Sequence, residues 1–107
     1  MDDGEKFAGL RKGLLEFALL TVISAERVYV ADILSRLAKT PFATQEGTLY
    51  PLLSKLRRDG VVEYEWVESE AGPPRKYYRL TSPGEARLAE LAAYWRHLTA
   101  TLESLGR

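Results

Sequence analysis

Cysteine is absent from this 107-residue sequence, which excludes a disulfide framework and any thiolate metal site. Histidine occurs once, at His97, too few for a histidine zinc site and a poor basis for acid–base chemistry near neutral pH. No apolar run is long enough to cross a bilayer. The longest, Leu14 to Ile23, is interrupted by Glu16 and Thr21. Met1-Asp2-Asp3-Gly4-Glu5 is acidic where a secretory leader begins with cations, so no leader is expected and a cytoplasmic protein is. Nucleophile–base pairs, paired carboxylates and a phosphate-cradling glycine loop are also missing; Gly4, Gly9 and Gly13 stand isolated. Neither an enzyme nor a cofactor is expected.

Net charge gives no direction either, with 15 Lys and Arg against 15 Asp and Glu. Distribution does. Lys39, Lys55, Arg57 and Arg58 face a single carboxylate, Glu46, between positions 39 and 58, and Arg75, Lys76 and Arg79 form a second cluster. The acids gather elsewhere, notably at Glu63, Glu65, Glu68 and Glu70. Local positive patches on a neutral protein suit a binder that touches phosphates in a few places. Hydrophobic residues at 46% and charged residues at 28% describe an ordinary globular chain with one modest core.

The most informative stretch is Gly47-Thr48-Leu49-Tyr50-Pro51-Leu52-Leu53-Ser54-Lys55-Leu56-Arg57-Arg58. Leu49, Leu52, Leu53 and Leu56 fall at i, i+3, i+4 and i+7 and share one helix face. The opposite face holds Gly47, Pro51, Ser54 and Arg58, flanked by Thr48 and Lys55 on one side and Tyr50 and Arg57 on the other. A helix pinned by leucines that offers a small, hydroxylated, cationic face is shaped to lie in the major groove of DNA. Thr44 is the expected N-cap, Pro51 is expected to bend the axis, and Asp59-Gly60 should end the helix.

Two helices are expected before it, over 7–23 and 30–39, the first apolar on almost every side beyond Leu14 and so in need of a partner subunit. After it, Val61 to Glu68 alternates with Val62, Tyr64 and Trp66 on one face; residues 69–74 read as turn chemistry, and Arg75 to Leu80 as a returning strand. Ser82 with Glu85 forms an expected capping box with Pro83 at the first helical position. In the helix that follows, Leu88, Leu91, Trp95, Leu98, Leu102 and Leu105 are spaced as a heptad seam. The fold expected is mainly α with a small β-hairpin: a winged helix-turn-helix over 1–82, its hairpin tip carrying Arg75 and Lys76, and a long C-terminal dimerisation helix over 83–107.

Gly47-Thr48-Leu49-Tyr50-Pro51-Leu52-Leu53, Asp59-Gly60-Val61-Val62, Gly72-Pro73-Pro74-Arg75-Lys76-Tyr77-Tyr78, and Leu80-Thr81 with Gly84 together resemble the PadR family of bacterial transcriptional regulators. The match runs nearly the whole chain in order, and one long C-terminal helix suits the smaller type of that family. One departure is Val28 before Tyr29, where the family has glycine before tyrosine. The resemblance implies a homodimeric repressor with the third helix in the major groove of an operator duplex and the wing on backbone or minor groove. It also implies a C-terminal helix that packs on the partner's N-terminal helix.

Gln45, Gly47, Thr48, Tyr50, Pro51, Ser54, Lys55 and Arg58 are therefore the candidate DNA-facing residues, with Arg75 and Lys76 on the wing. Leu10, Leu14 and the six seam residues are candidates for the dimer interface. Trp95 has two readings, core filler of the dimer or platform for a flat aromatic effector, as the resemblance allows. A winged-helix module for protein–protein contact without DNA binding is the alternative, which the cationic face and basic wing disfavour.

Overall fold

A computed structural model describes residues 3–107, with the side chains of Asp3 and Gly4 left undescribed. The first two residues of the acidic start thus lie outside the described residues. The chain runs through α1 (Asp3–Lys6), α2 (Ala8–Ala25), α3 (Val30–Leu37), α4 (Glu46–Arg58), β1 (Val62–Ser69), β2 (Gly72–Leu80) and α5 (Ser82–Leu105). This is the winged helix-turn-helix with a long C-terminal helix that the pattern anticipated. The wing is an antiparallel β1–β2 hairpin in which Val62 faces Leu80, Tyr64 faces Tyr78 and Trp66 faces Lys76. Val28, in the link between α2 and α3, adds a short third rung: its N–H donates to the Tyr78 carbonyl at 3.0 Å and its carbonyl accepts from the Tyr78 N–H at 2.7 Å.

The core is a single cluster in which Leu19, Leu20 and Ile23 of α2 meet Ile33 and Leu37 of α3, Leu49, Leu53 and Leu56 of α4, and Val61, Val62 and Tyr78 of the wing. Each fully buried leucine contributes about 2 kcal/mol of apolar transfer, so three of them hold α4 rigidly by one face. The α2 helix is not covered in the same way along its length. Its C-terminal half enters the core, whereas Leu10, near the N-terminal end, remains 60% exposed.

Several local expectations need correction. The first helix begins only at Ala8, because Phe7 leaves helical geometry (φ −111°, ψ 21°) and separates it from α1. The second stops at Leu37, where the Thr40 hydroxyl donates back to the Leu37 carbonyl at 2.8 Å and accepts from the Phe42 N–H at 3.0 Å. That side-chain turn ends the helix before Pro41 acts. Gln45 rather than Thr44 stands at the α4 N-cap, extended and without a side-chain cap; its carbonyl accepts from Thr48 and Leu49. The α4 helix continues through Pro51. Thr81, not Ser82, caps α5: its hydroxyl accepts from the Gly84 N–H at 3.0 Å and donates to the Gly60 carbonyl at 2.6 Å. Thr81 suits the role better because its strand-end geometry is extended, as a cap requires (φ −84°, ψ 174°). Pro73 and Pro74 belong to β2 and lie beside an irregularity in the β1 register at Val67–Ser69. Proline is tolerated there because a bulged hairpin end needs fewer ladder donors. The turn itself is Glu70-Ala71, so the tip is acidic and Arg75 and Lys76 sit inward of it, Arg75 opposite Val67.

Candidate nucleic-acid interface

The exposed surface of α4 follows from its buried one. With Leu49, Leu53 and Leu56 at 0–1% exposure, the 3.6-residue period turns Gly47, Pro51, Ser54 and Arg58 to the opposite side, and all four are exposed. These four form the crown of the helix. Gln45 is exposed just before it. Thr48 and Lys55 lie on the flank toward α2, Tyr50 and Arg57 on the flank toward the wing.

The wing flank is organised by cations laid on aromatic rings. The Arg57 guanidinium stacks 4.7 Å from the Tyr64 ring centre, and the Lys76 ammonium lies 4.5 Å from that ring and 5.4 Å from Trp66. Tyr64 therefore links α4 to the wing through Arg57, while Lys76 reaches the same ring from within the wing. Arg75 lies 4.5 Å over Tyr29, whose ring meets Tyr77 edge-on at 5.3 Å. Arg27 lies over Tyr77 and donates to Glu65 at 2.7 Å, while Arg79 pairs with Glu63 at 2.9 Å. Such stacking costs the cations little charge while fixing their stems, so less rotamer entropy remains to be lost when a phosphate arrives. Between these stacks and α4 runs a groove of about 490 Å³ lined by Tyr29, Glu46, Tyr50, Trp66, Arg75 and Lys76 among others. Behind it the Tyr78 hydroxyl is pushed above its ordinary value, first by burial and then by Tyr50 and Tyr64, with Arg57 acting in the opposite direction; it stays protonated at neutral pH.

The α2 flank differs. Lys55 is not turned outward alone: it donates to Asp59 at 3.1 Å and lies 3.7 Å from Glu16 of α2. Thr48 borders a smaller groove with Arg11, Lys12 and Thr44. Arg58, by contrast, has no ion pair among the described residues. The candidate DNA residues thus share one surface, but in two states: Gly47, Pro51, Ser54 and Arg58 open, and Lys55, Arg75 and Lys76 already held by neighbours.

The seam of α5 divides. Leu88 and Leu91 pack against the chain's own core, whereas Leu98, Leu102 and Leu105 are increasingly exposed toward the C-terminal end, reaching 75% at Leu105. Trp95 stands at the junction. It lines an apolar groove of about 450 Å³ with Leu14, Phe17, Val22, Leu37 and Phe42. Leu14 is half-buried there and Leu10 stands free beyond it.

Sequence reading missed Arg57, Tyr64 and Tyr29 as organisers of the surface, saw Glu16 only as a break in an apolar run, and missed Arg87 altogether. Strand alternation placed Tyr64 on one face with Val62 and Trp66, but nothing in the spacing pairs it with Arg57. Among the described residues, none of the His, Asp and Glu side chains gather into a group of three that could hold a metal, and no helix is long and apolar enough to cross a membrane.

The fold is shared with proteins of one family. The sequence model of the transcriptional regulator PadR-like family matches residues 19–90. A PadR-like transcription factor from Bacteroides fragilis shares 44% identity with a TM-score of 0.80, covering 94% of this chain and 98% of its own. A PadR-like transcriptional regulator from Bacillus cereus shares 36% identity, TM-score 0.79, with 88% and 92% covered. An uncharacterized protein of Lysinibacillus sphaericus is 30% identical over 95 residues, which span 86% of this chain and 87% of that relative.

Proposed function

This chain belongs to the PadR-like family of transcriptional regulators, and on that premise we propose that it is a homodimeric repressor whose α4 crown enters the major groove of a palindromic operator. Residues 1–82 act as the DNA-binding unit and 83–107 as the dimerisation helix. Ser54 and Arg58 meet base edges or phosphate from the crown, Thr48 and Lys55 meet one phosphate strand, and Arg75 and Lys76 of the wing meet the other. Gln45 and Tyr50 reach the groove from the start of the helix. The exposed half of the α5 seam, with Leu10 and Leu14 of α2, forms the surface that a second subunit covers. Trp95 beside the apolar groove is where a flat aromatic effector would act, by altering the separation of the two reading helices.

One observation carries the reading. Gly47 lies in the first turn of α4, where glycine weakens a helix by about 0.5–1 kcal/mol relative to alanine. Nothing inside the protein demands it: a Cβ built there meets no atom within 4 Å, and the backbone is not left-handed. A glycine that the fold does not need, on the exposed side of α4 about two turns before Ser54 and about three before Arg58, leaves room for something outside the chain to approach the backbone. Gly47→Ala is therefore expected to raise the thermal midpoint by a few degrees while weakening binding to duplex DNA about tenfold or more. Anisotropy titration beside a melting curve checks both. Unchanged DNA affinity in a variant of raised stability would remove the main support for the groove-facing role of α4.

A further inference from the structure

Glu16 interrupts the longest apolar run of the chain, and nothing in the fold or the DNA-reading surface calls for a carboxylate there. Its side chain, 26% exposed, divides its two oxygens between two helices. Oε2 accepts from Arg87 Nη1 of α5 at 3.2 Å, and Oε1 faces Lys55 Nζ of α4 at 3.7 Å. Lys55 in turn donates to Asp59. Among the described residues this is the one ion-pair network that joins α2, α4 and α5.

We propose that Glu16 is a positioning residue that sets how free Lys55 is to meet a DNA phosphate, and that Arg87 sets how strongly Glu16 holds it. The inference rests on the DNA-reading function proposed above. A lysine ammonium is a compact charge for which carboxylate and phosphate compete. With Arg87 donating to Oε2, part of the carboxylate charge is compensated, and Lys55 stands beyond hydrogen-bond length from Oε1. Withdrawal of Arg87 leaves both oxygens to Lys55 and draws its ammonium back toward α2, away from Ser54 and Arg58. Because α5 is the helix through which subunits join, a shift of α5 reaches the reading helix as a change of partner for one cation. The coupling is local and charge-borne, so it needs no change in the backbone of α4.

A double-mutant cycle on the full chain tests this, read as affinity for a random-sequence duplex of about 30 base pairs across a salt series. Glu16→Gln is expected to tighten binding about threefold to tenfold and to steepen the plot of log K against log salt, because Lys55 then displaces in full the counterions that it displaces only in part in the parent. Arg87→Met is expected to weaken binding about threefold or more in the parent and by less than about twofold in the Glu16→Gln background. With Lys55→Met already present, Glu16→Gln should shift affinity by less than about twofold. Equal weakening by Arg87→Met in both backgrounds would make Arg87 merely another cation and overturn the proposal. So would an undiminished Glu16→Gln effect without Lys55. If Arg87→Met does not fold, Arg87→Lys reads the same coupling: a smaller weakening in the parent and none beside Glu16→Gln, with equal effects in both again overturning it. A parent protein that ignores the duplex in dilute buffer overturns the DNA-reading function and this inference with it, whereas binding with additive variants overturns this inference alone.

Discussion

Gly84→Ala is expected to lower the thermal midpoint by about 10 °C or more, since Gly84 is the one described glycine at which an added Cβ would collide with backbone. An alanine Cβ at position 84 would lie 1.9 Å from the Val61 carbonyl oxygen and 2.9 Å from its carbon. Neither side can yield cheaply. The Val61 carbonyl accepts from the Thr81 N–H at 3.1 Å, and the Gly84 N–H is bound to the Thr81 hydroxyl, so both backbones are tied to one cap. Thr81 is tied in turn to the Gly60 carbonyl. Gly60 is the left-handed residue, φ +77°, that ends α4, so the start of α5 is stitched to the end of α4. Relieving the clash means lifting α5 and breaking those bonds, a cost of about 3 kcal/mol against a gain of about 1 kcal/mol from alanine's helix propensity. The sign makes the test sharp, since the same substitution at an unhindered helical glycine stabilises. A melting curve with an unchanged or raised midpoint would show that α5 does not rest on Val61.

The second large effect belongs to the α5 seam. Leu98→Glu with Leu102→Glu is expected to leave each chain folded, because Leu98 is 36% and Leu102 67% exposed in the single subunit and neither contributes to its core. A dimer that buries them would have to desolvate two carboxylates in each chain, several kcal/mol in all, and should dissociate at micromolar concentration. Loss of the second reading helix then removes avidity, and affinity for a two-half-site operator should fall about a hundredfold or more while weak non-specific binding survives. Sedimentation together with an anisotropy titration checks it. A variant that sediments as the parent does would place the subunit contact elsewhere.

How much of this was legible in the sequence depends on the kind of interaction. Leucine spacing located α4 and its buried face, because burial against a core leaves a period that composition cannot hide. The hairpin and the long last helix were legible for the same reason. Boundaries set by single hydroxyls were not. Thr81 and Ser82 are both plausible caps as letters, and only the extended geometry at the end of β2 and the Gly60 carbonyl within reach decide for Thr81. Pro73 and Pro74 read as turn residues because their strand-compatible place beside a bulge is a property of register rather than of composition. Gly84 was visible as part of a motif, but its reason, the Val61 carbonyl, lies 23 residues away in sequence. The candidate interface was legible as a helix face and a basic wing. Its electrostatic arrangement was not, because the stacks on Tyr29 and Tyr64 and the network at Glu16 join residues from different elements that no local pattern connects.

The most direct test of the central claim is hydroxyl-radical footprinting of the parent protein on duplexes that it selects from a random library. Two reading crowns in a symmetric dimer should protect two windows related by a dyad, with centres about 34 Å or a whole multiple of that apart along one face of the duplex. Failure to enrich any duplex, or one protected window without a symmetry mate, would contradict the account.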